Sequence, residues 1–357
     1  MANGKFAIES IADTNIGCGK RWDRREFVKG VTALAGSAGL LGYDLQPAAA
    51  EPPPETKRIR LITDQVICLA PQFLAEELLR LEGFTEVEYV RVNYEEHASL
   101  GAAVGAGKAD ITQDSAISFV TVIDAGQPVV ILSGIHVGCW ELLGGPRVQT
   151  IRDLKGKRVP ISAIGAEEHL LASSMLAFLG MDPRRDIEFV AIPEIDDWVK
   201  AFVGGSVDAM FAFPPHPQRL RAEKIGHVIV DAARDRPWTQ YFCCVIGANR
   251  DFATRNPIAT KRALRAILKA TDICAQDPER AARLLVAKGR EPQYETAVEA
   301  LRSLPYGRWR TVNPEDTLRF HALRLHEVGM IKSNPNKIIA QGTDWRFLNE
   351  LKKKLKA

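Results

Sequence analysis

The segments Gly107-Lys108-Ala109-Asp110-Ile111-Thr112 and Gly205-Ser206-Val207-Asp208-Ala209-Met210 repeat one pattern about 98 residues apart. In each segment a helical stretch ends at glycine, and an x-apolar-Asp sequence then leads directly into a short apolar strand. A supersecondary unit that occurs twice indicates a chain built from two similar α/β lobes.

Strands and helices alternate on both sides of these repeats. The hydrophobic spacing predicts strands over 58–63, 87–92, 159–162, 188–192, 208–213, 227–230 and 242–247, and helices over 71–81, 97–106, 165–179, 196–203, 260–276, 278–288, 295–304, 314–328 and 344–354. The strand over 242–247 is expected to return the chain to the first lobe. The predicted lobes are therefore 51–150 with 243–357, and 151–242, with two crossings that form a hinge.

The first 50 residues carry the signature of an export signal. Asp23-Arg24-Arg25-Glu26-Phe27-Val28-Lys29 precedes an apolar run over 30–45 and the sequence Ala48-Ala49-Ala50. A run of about 16 residues is too short to span a bilayer core of about 30 Å, and Ala-x-Ala is a signal-peptidase site. Residues 1–50, with Arg24 and Arg25 as the paired arginines, are predicted to be a twin-arginine signal peptide that directs the chain to the periplasm. The alternative is a basic arm beside a buried Ala/Leu helix.

Composition excludes several function classes. A net charge of +3 over 357 residues does not indicate the strongly basic surface of a nucleic-acid-binding protein. The absence of His-x-x-x-His and Cys-x-x-Cys spacing predicts no metal site, and the glycines at 101–107 lack the spacing of a nucleotide loop, so no cofactor is expected. Five of the six cysteines follow residue 50, which predicts at least one unpaired thiol. The adjacent Cys243 and Cys244 would face opposite sides of a strand and so are not expected to pair with each other.

Ligands of open α/β sheets bind beyond the carboxyl ends of strands, where helix N-termini offer N–H groups. This rule selects the segments 64–72, 113–115, 135–140 and 162–169, with an apolar wall after the second-lobe strand that ends near residue 213. The predicted ligand-binding residues are Asp64, Gln65, Cys68, Gln72, Asp114, Ser115, His136, Gly165, Ala166, Glu167, His169 and Phe213.

The order of several motifs resembles one family: the solute-binding proteins of ABC importers for nitrate, sulfonates and taurine, together with the related NMT1/THI5-like binders of thiamine pyrimidine precursors. The resembling motifs lie at 107–110 followed by Ser115, and at 153–159, 165, 205–209 and 329–332. The resemblance implies an α/β, type II periplasmic-binding-protein fold with a hinged cleft between two lobes. It also implies a monomer without enzymatic activity that delivers a small organic solute, pyrimidine-like, amine-like or sulfonate-like, to a membrane permease and its ATPase. A ligand sensor without a transporter would have the same sequence signature.

The start of the helix at 165–179 departs from the pattern of the anion binders in this family. Those proteins typically place small hydroxyl residues there, whereas this chain has Ala166, Glu167 and Glu168. Stabilisation of the first helical turn by the helix dipole is enough to explain the presence of both carboxylates. A carboxylate that faces the cleft would instead oppose nitrate or a sulfonate and favour an amine, an aminopyrimidine or a neutral hydrogen-bonding ligand. His136 and His169 present the same choice between a structural role and a role at the ligand.

A second hypothesis gives Cys68 a catalytic role. The same fold is used by a desulfinase with a nucleophilic cysteine after the first strand, and Cys68 falls in that loop. The helix near Pro71 and a basic His136 would stabilise its thiolate. No arginine lies in the four predicted cleft segments to hold a sulfinate, so binding without chemistry is the favoured reading.

Overall fold

Each Gly-x-x-Asp segment leads into a strand of an α/β layer, and its aspartate binds an arginine in an earlier strand of the same layer. The computed structural model describes residues 51–64, 66–93 and 96–355, so the predicted signal peptide with Arg24 and Arg25 lies outside the described residues. The residues from Pro53 onward form one compact unit that contains both layers.

The first layer is a five-stranded sheet in the order β2-β1-β3-β10-β4. Its strands are β1 (Arg58–Thr63), β2 (Glu86–Arg91), β3 (Ile111–Ser115), β4 (Val129–Val137) and β10 (Phe242–Asn249). β1 pairs in parallel with β2 and β3, whereas β10 is antiparallel to both β3 and β4. The strand that follows the second lobe in sequence is thus inserted between two strands of the first lobe.

The second layer is built from shorter strands. β5 (Glu141–Gly144), β8 (Ala209–Ala212) and β9 (His227–Asp231) form an antiparallel sheet in the order β8-β5-β9, and β6 (Arg158–Ile161) pairs in parallel with β7 (Glu188–Ala191). β5 falls in the predicted range 51–150 but pairs with strands of the range 151–242. The chain therefore enters the second layer directly after β4.

Helices cover both layers. Their bounds in chain order are α1 (Ala70–Leu74), α2 (Glu76–Leu81), α3 (Leu100–Gly105), α4 (Ala116–Asp124), α5 (Glu167–Phe178), α6 (Ile195–Val203), α7 (His216–Ala222), α8 (Arg250–Arg255), α9 (Pro257–Gln276), α10 (Pro278–Ala287), α11 (Tyr294–Ser303), α12 (Pro314–Glu327), α13 (Pro335–Gly342) and α14 (Arg346–Lys354). Within the described ranges, no helix is both long and apolar enough to cross a membrane.

The two Asp–Arg pairs have the same geometry. Asp110 accepts a hydrogen bond from the backbone N–H of Arg60 at 2.8 Å, and the Arg60 guanidinium bonds both Asp110 and the carbonyl of Gly107. Asp208 accepts from the N–H of Arg158 at 3.0 Å, and the Arg158 guanidinium bonds Asp208 and the carbonyl of Gly205. The shared geometry explains why the sequence pattern occurs twice: Asp110 fixes the start of β1, and Asp208 fixes the start of β6.

Several predicted elements have different bounds in the structure. The helix predicted over 71–81 is two helices, α1 and α2, that meet at Ala75. The helix predicted to start at residue 97 begins at Leu100, because the Ser99 hydroxyl caps it by accepting from the Ala102 N–H at 3.2 Å. His136 lies inside β4, which runs to Val137, rather than in a segment beyond the strand.

One large apolar core joins the sheet of the first layer to its helices and continues into the second layer. A smaller cluster lies under α6 in the second layer and includes Leu143, Trp198, Phe202 and Met210. The main core therefore joins the two layers, and the polar residues considered next lie where the layers face each other.

Candidate functional site

The loop after β1 brings Asp64, Cys68 and Gln72 to the carboxyl edge of the first sheet. Gln65, predicted to bind ligand, lies outside the described residues. Gln72 is fully buried, its amide N–H donates to the Ile62 carbonyl at 2.7 Å, and its oxygen accepts from the Gln113 N–H at 2.9 Å. Gln72 therefore links β1 to β3 and holds the loop in place.

Asp114 is a buried carboxyl at the end of β3. Its two oxygens accept hydrogen bonds from the backbone N–H groups of Gly101 and Ser115, both at 2.7 Å. Burial raises the pKa of Asp114 to about 6, and these hydrogen bonds offset only part of that rise. The Asp64 carboxylate raises it further, so negative charge accumulates at this edge of the sheet.

Glu167, in the first turn of α5, faces Asp114 from the second layer. The Ser115 side chain hydrogen-bonds its carboxyl. Burial first, and the Asp114 charge second, raise the pKa of Glu167 well above its usual value. Among the main influences on these two carboxyls, none is a basic side chain of the described residues. A proton or a bound cation is therefore needed to relieve their repulsion.

Glu168, one residue further, is buried and is hydrogen-bonded within its own layer. Its Oε1 accepts from the backbone N–H of Ser162 at 2.5 Å and from the Ser162 hydroxyl at 2.6 Å. Glu168 thus closes the turn before α5, while Glu167 is the carboxyl that reaches the facing layer.

Gly165, Ala166 and His169 shape the start of α5. Gly165 has φ of +89°, a value that favours glycine, and its N–H donates to Nδ1 of His169 at 2.9 Å. His169 packs edge-on against Phe189, and burial lowers its pKa. Ala166 is the N-cap residue and offers no side-chain cap. The structure thus gives His169 a hydrogen bond that orders the turn.

His136 and Cys68 lie below this surface, in the core. His136 is fully buried, and burial lowers its pKa to about 4, so it is neutral at neutral pH. A neutral imidazole does not supply the positive charge that the enzyme hypothesis needs to stabilise a Cys68 thiolate. The Cys68 thiol instead hydrogen-bonds that of Cys244, which also faces Gln113. The Cys68 carbonyl accepts from the Gln113 amide at 2.6 Å.

The apolar wall comes from the end of β8. Phe213 is half-buried and packs against the main core, and the next residue, Pro214, accepts a hydrogen bond at its carbonyl from the Ile67 N–H at 3.4 Å. Trp140 is buried edge-on to Phe211, with ring centroids 5.5 Å apart. The second layer thus touches the loop that carries Cys68.

Sequence reasoning missed residues that come from distant parts of the chain. The Arg290 guanidinium bonds the Thr63 hydroxyl at the end of β1 and stacks 4.4 Å from the Phe73 ring centre. Tyr306 contacts the His136 ring edge-on and donates to the Cys68 carbonyl at 3.4 Å. Both follow the return of the chain to the first layer, and no local motif marks either of them.

The structure confirms the prediction that at least one cysteine has an unpaired thiol. Cys243 forms a disulfide with Cys139, while Cys68, Cys244 and Cys274 are free and buried. Cys243 and Cys244 are not partners, as expected for neighbours on opposite faces of β10. The prediction that no metal site exists rested on local spacing alone, and the structure groups Cys68, His136, Cys139 and Cys244 in space.

Two facing α/β layers with polar groups at the carboxyl ends of their strands define the class: a two-lobe periplasmic-binding-protein fold. The sequence profile described as NMT1/THI5 like matches residues 85–281, more than half of the chain. The chain belongs to the NMT1/THI5-like family. No curated protein matches the sequence.

Solved structures agree on the fold. The periplasmic nitrate-binding protein NrtA of Synechocystis PCC 6803 is 16% identical with a TM-score of 0.69, over 85% of this chain and 90% of that chain. The periplasmic aliphatic sulphonate-binding protein SsuA of Escherichia coli is 18% identical with a TM-score of 0.62, over 82% and 94%. The Candida albicans CA3427 gene product is 14% identical with a TM-score of 0.64, over 80% and 96%.

Proposed function

We propose that this chain is the solute-binding component of an ABC importer and that its solute is a small organic cation or a donor-rich heterocycle such as an aminopyrimidine. Family membership, the fold and the neighbours that bind nitrate and sulphonates support solute capture. The partners would be a membrane permease and its ATPase.

The pairing of Glu167 with Asp114 carries the choice of solute. The buried Asp114 carboxyl and the half-buried Glu167 carboxyl, which both bond Ser115, repel each other and would repel nitrate or a sulfonate. An amine or amidine N–H group placed between them would supply both positive charge and hydrogen-bond donors, and charge-assisted hydrogen bonds are the stronger class. Phe213 would add apolar contact beside the polar groups.

A thermal-shift screen of the full chain tests the solute class. The compounds are amines, aminopyrimidines, aromatic acids, sulfonates, sulfinates and nitrate, and each hit is recovered and weighed by mass spectrometry. We expect a cationic or aminopyrimidine hit, recovered unchanged, with about 2.7 kcal/mol of added stability at 100 times its dissociation constant. A saturable shift with nitrate or a sulfonate alone would overturn the proposed solute class. A hit recovered chemically altered, with the change lost in Cys68→Ser, would revive the desulfinase hypothesis.

Glu167→Gln and Glu168→Gln form a matched pair on one helical turn. Glu167→Gln should weaken binding of the screened solute at least tenfold, because it removes the charge that faces the solute, and should leave folding intact. Glu168→Gln should keep the affinity within about twofold and lower the melting temperature, because it weakens the bonds to Ser162. Isothermal titration calorimetry measures the affinity of each variant, and melting curves measure its stability. Equal losses of affinity in both variants would contradict the assignment of Glu167 to the cleft.

Location in the periplasm is part of the proposal, with export by the twin-arginine machinery. Its support is Arg24 and Arg25 before the apolar run 30–45, together with the periplasmic neighbours. Cell fractionation compares the wild type with Arg24→Lys/Arg25→Lys. We expect the variant to remain in the cytoplasm at full length, and an unchanged periplasmic yield would rule out this route.

A further inference from the structure

Four ligand-type side chains converge in the core beneath the loop after β1. Cys68, His136 at the end of β4, Cys139 two residues beyond that strand, and Cys244 in β10 are all buried, and their sulfur and nitrogen atoms lie within 4.8 Å of one another. They come from three separate segments of the chain. The convergence is therefore produced by the tertiary fold and not by a local motif.

Three of the four are available as metal ligands. The thiols of Cys68 and Cys244 are free, whereas Cys139 is bonded to Cys243. The His136 side chain is fully buried, and backbone hydrogen bonds to Cys68 and Val137 orient its ring. Its Nε2 lies 3.4 Å from the Gln113 amide nitrogen. One ring nitrogen of a hydrogen-bonded imidazole is the usual metal ligand, while the other ring nitrogen holds the orientation.

We propose that Cys68, His136 and Cys244 bind one Zn²⁺ ion. We further propose that Cys139 joins them as a fourth ligand once a dithiol reductant has cleaved its disulfide, which leaves Cys243 as a thiol and converts the reductant to its own disulfide. Two thiolates and a neutral imidazole balance the charge of Zn²⁺, so the buried site is neutral. On binding, each thiol gives up its proton to solvent, so two protons are released for each Zn²⁺ bound.

The geometry needs only a small adjustment. Zn–S and Zn–N bonds of about 2.3 and 2.0–2.1 Å bring tetrahedral ligands to within about 3.8 Å of one another. Atoms already within 4.8 Å reach that spacing by shifts of about 1 Å. The neighbourhood positions the ligands: the Gln113 amide and the Tyr306 hydroxyl both hold the Cys68 carbonyl. Such outer hydrogen bonds orient metal ligands.

A three-ligand zinc site has a function distinct from a four-ligand one. Zinc sites with three protein ligands keep a fourth position open, whereas sites with four ligands are structural. With the Cys139–Cys243 disulfide intact, the ion would tie the Cys68 loop to β4 and β10 and still accept an outside ligand. The inference does not depend on the identity of the solute, because all its ligands lie in the core.

Metal binding by the full chain tests the site. Protein stripped with EDTA is dialysed against Zn²⁺ or, in a separate arm, Cu⁺ under anaerobic conditions, and the bound metal is measured by mass spectrometry. We expect one Zn²⁺ per chain with release of about two protons. Cys68→Ser, Cys244→Ser and His136→Gln should each weaken binding at least tenfold. Cys274→Ser is the matched control, since Cys274 is a free buried thiol outside the group, and it should bind as the wild type does.

X-ray absorption of the zinc-loaded wild type keeps the test decisive if a variant fails to fold. Two sulfur ligands and one imidazole are expected with the disulfide intact, and three sulfur ligands after reduction. Four outcomes would each overturn the proposal. They are no binding of zinc, binding of Cu⁺ but not Zn²⁺, an absorption spectrum with only oxygen and nitrogen ligands, and wild-type zinc affinity in the three ligand variants. A sulfur count that stays at two after reduction would remove Cys139 from it.

Discussion

Asp114 makes the stability of this protein depend on pH in an unusual direction. Buried carboxyls that receive ion pairs have lowered pKa values, whereas burial raises that of Asp114 from 3.8 to about 6. The folded state therefore binds this proton more tightly than the unfolded state. The stability that Asp114 contributes is complete below about pH 4 and is lost as the pH rises through 6.

Asp114→Asn does not titrate and should escape this loss. The unfolding free energy of the variant minus that of the wild type should rise by about 2 kcal/mol between pH 4 and pH 7, and the lost hydrogen bond adds an offset that does not change with pH. Urea unfolding at both pH values measures the difference. Asp124→Asn is the control: hydrogen bonds from Lys332 and Ser333 outweigh burial and lower the pKa of Asp124 below its ordinary 3.8, so its stabilisation is already present above pH 4 and its difference should stay nearly flat. A flat difference for Asp114→Asn would contradict the raised pKa.

At the scale of single elements, the sequence predicted what local chemistry controls. The repeated Gly-x-x-Asp pattern predicted a helix end followed by a strand at both places, and in the structure each aspartate also bonds an arginine of β1 or β6 whose guanidinium reaches the glycine carbonyl. Burial raises the pKa of Asp208, but hydrogen bonds from Arg158 and Arg147 outweigh it and lower the pKa to about 2. The motif could be recognised because it occurs twice in the sequence, whereas its arginine partners, 50 residues away, became visible only in the structure.

The elements that sequence reasoning missed depend on distant partners. β5 has only four residues, and its pairing with β8 and β9 cannot be read from its own pattern. The direction of Glu167 and Glu168 was left open, because both suit a first helical turn and only the positions of Ser115 and Ser162 separate them. Arg290 and Tyr306 reach the site from the segments before and after α11, far along the chain from β1 and β4, so local sequence spacing could not predict them.

At the scale of the whole molecule, the two layers touch away from the carboxyl pair as well as beside it. From α7, in the second layer, the Gln218 amide donates to the Ser303 hydroxyl at 3.3 Å and the Arg219 guanidinium bonds the Glu291 carboxylate at 3.3 Å. Arg221 bonds Glu299 of α11 at 3.1 Å. We infer that these bonds form when the lobes close on a solute and break when the lobes open.

Glu299→Gln tests this inference without changing the cleft. Glu299 is more than half exposed, and such an ion pair contributes about 0–1 kcal/mol, so the affinity for the solute found by the screen should fall by up to about fivefold. The loss should appear in the dissociation rate, measured by stopped flow, because the bond forms after the solute has entered. Glu279→Gln removes the pair with Arg302 between α10 and α11, which lie on the same side of the cleft, and should leave both rates unchanged. Faster dissociation in the control, or none in Glu299→Gln, would mean that the contact between α7 and α11 is not part of closure.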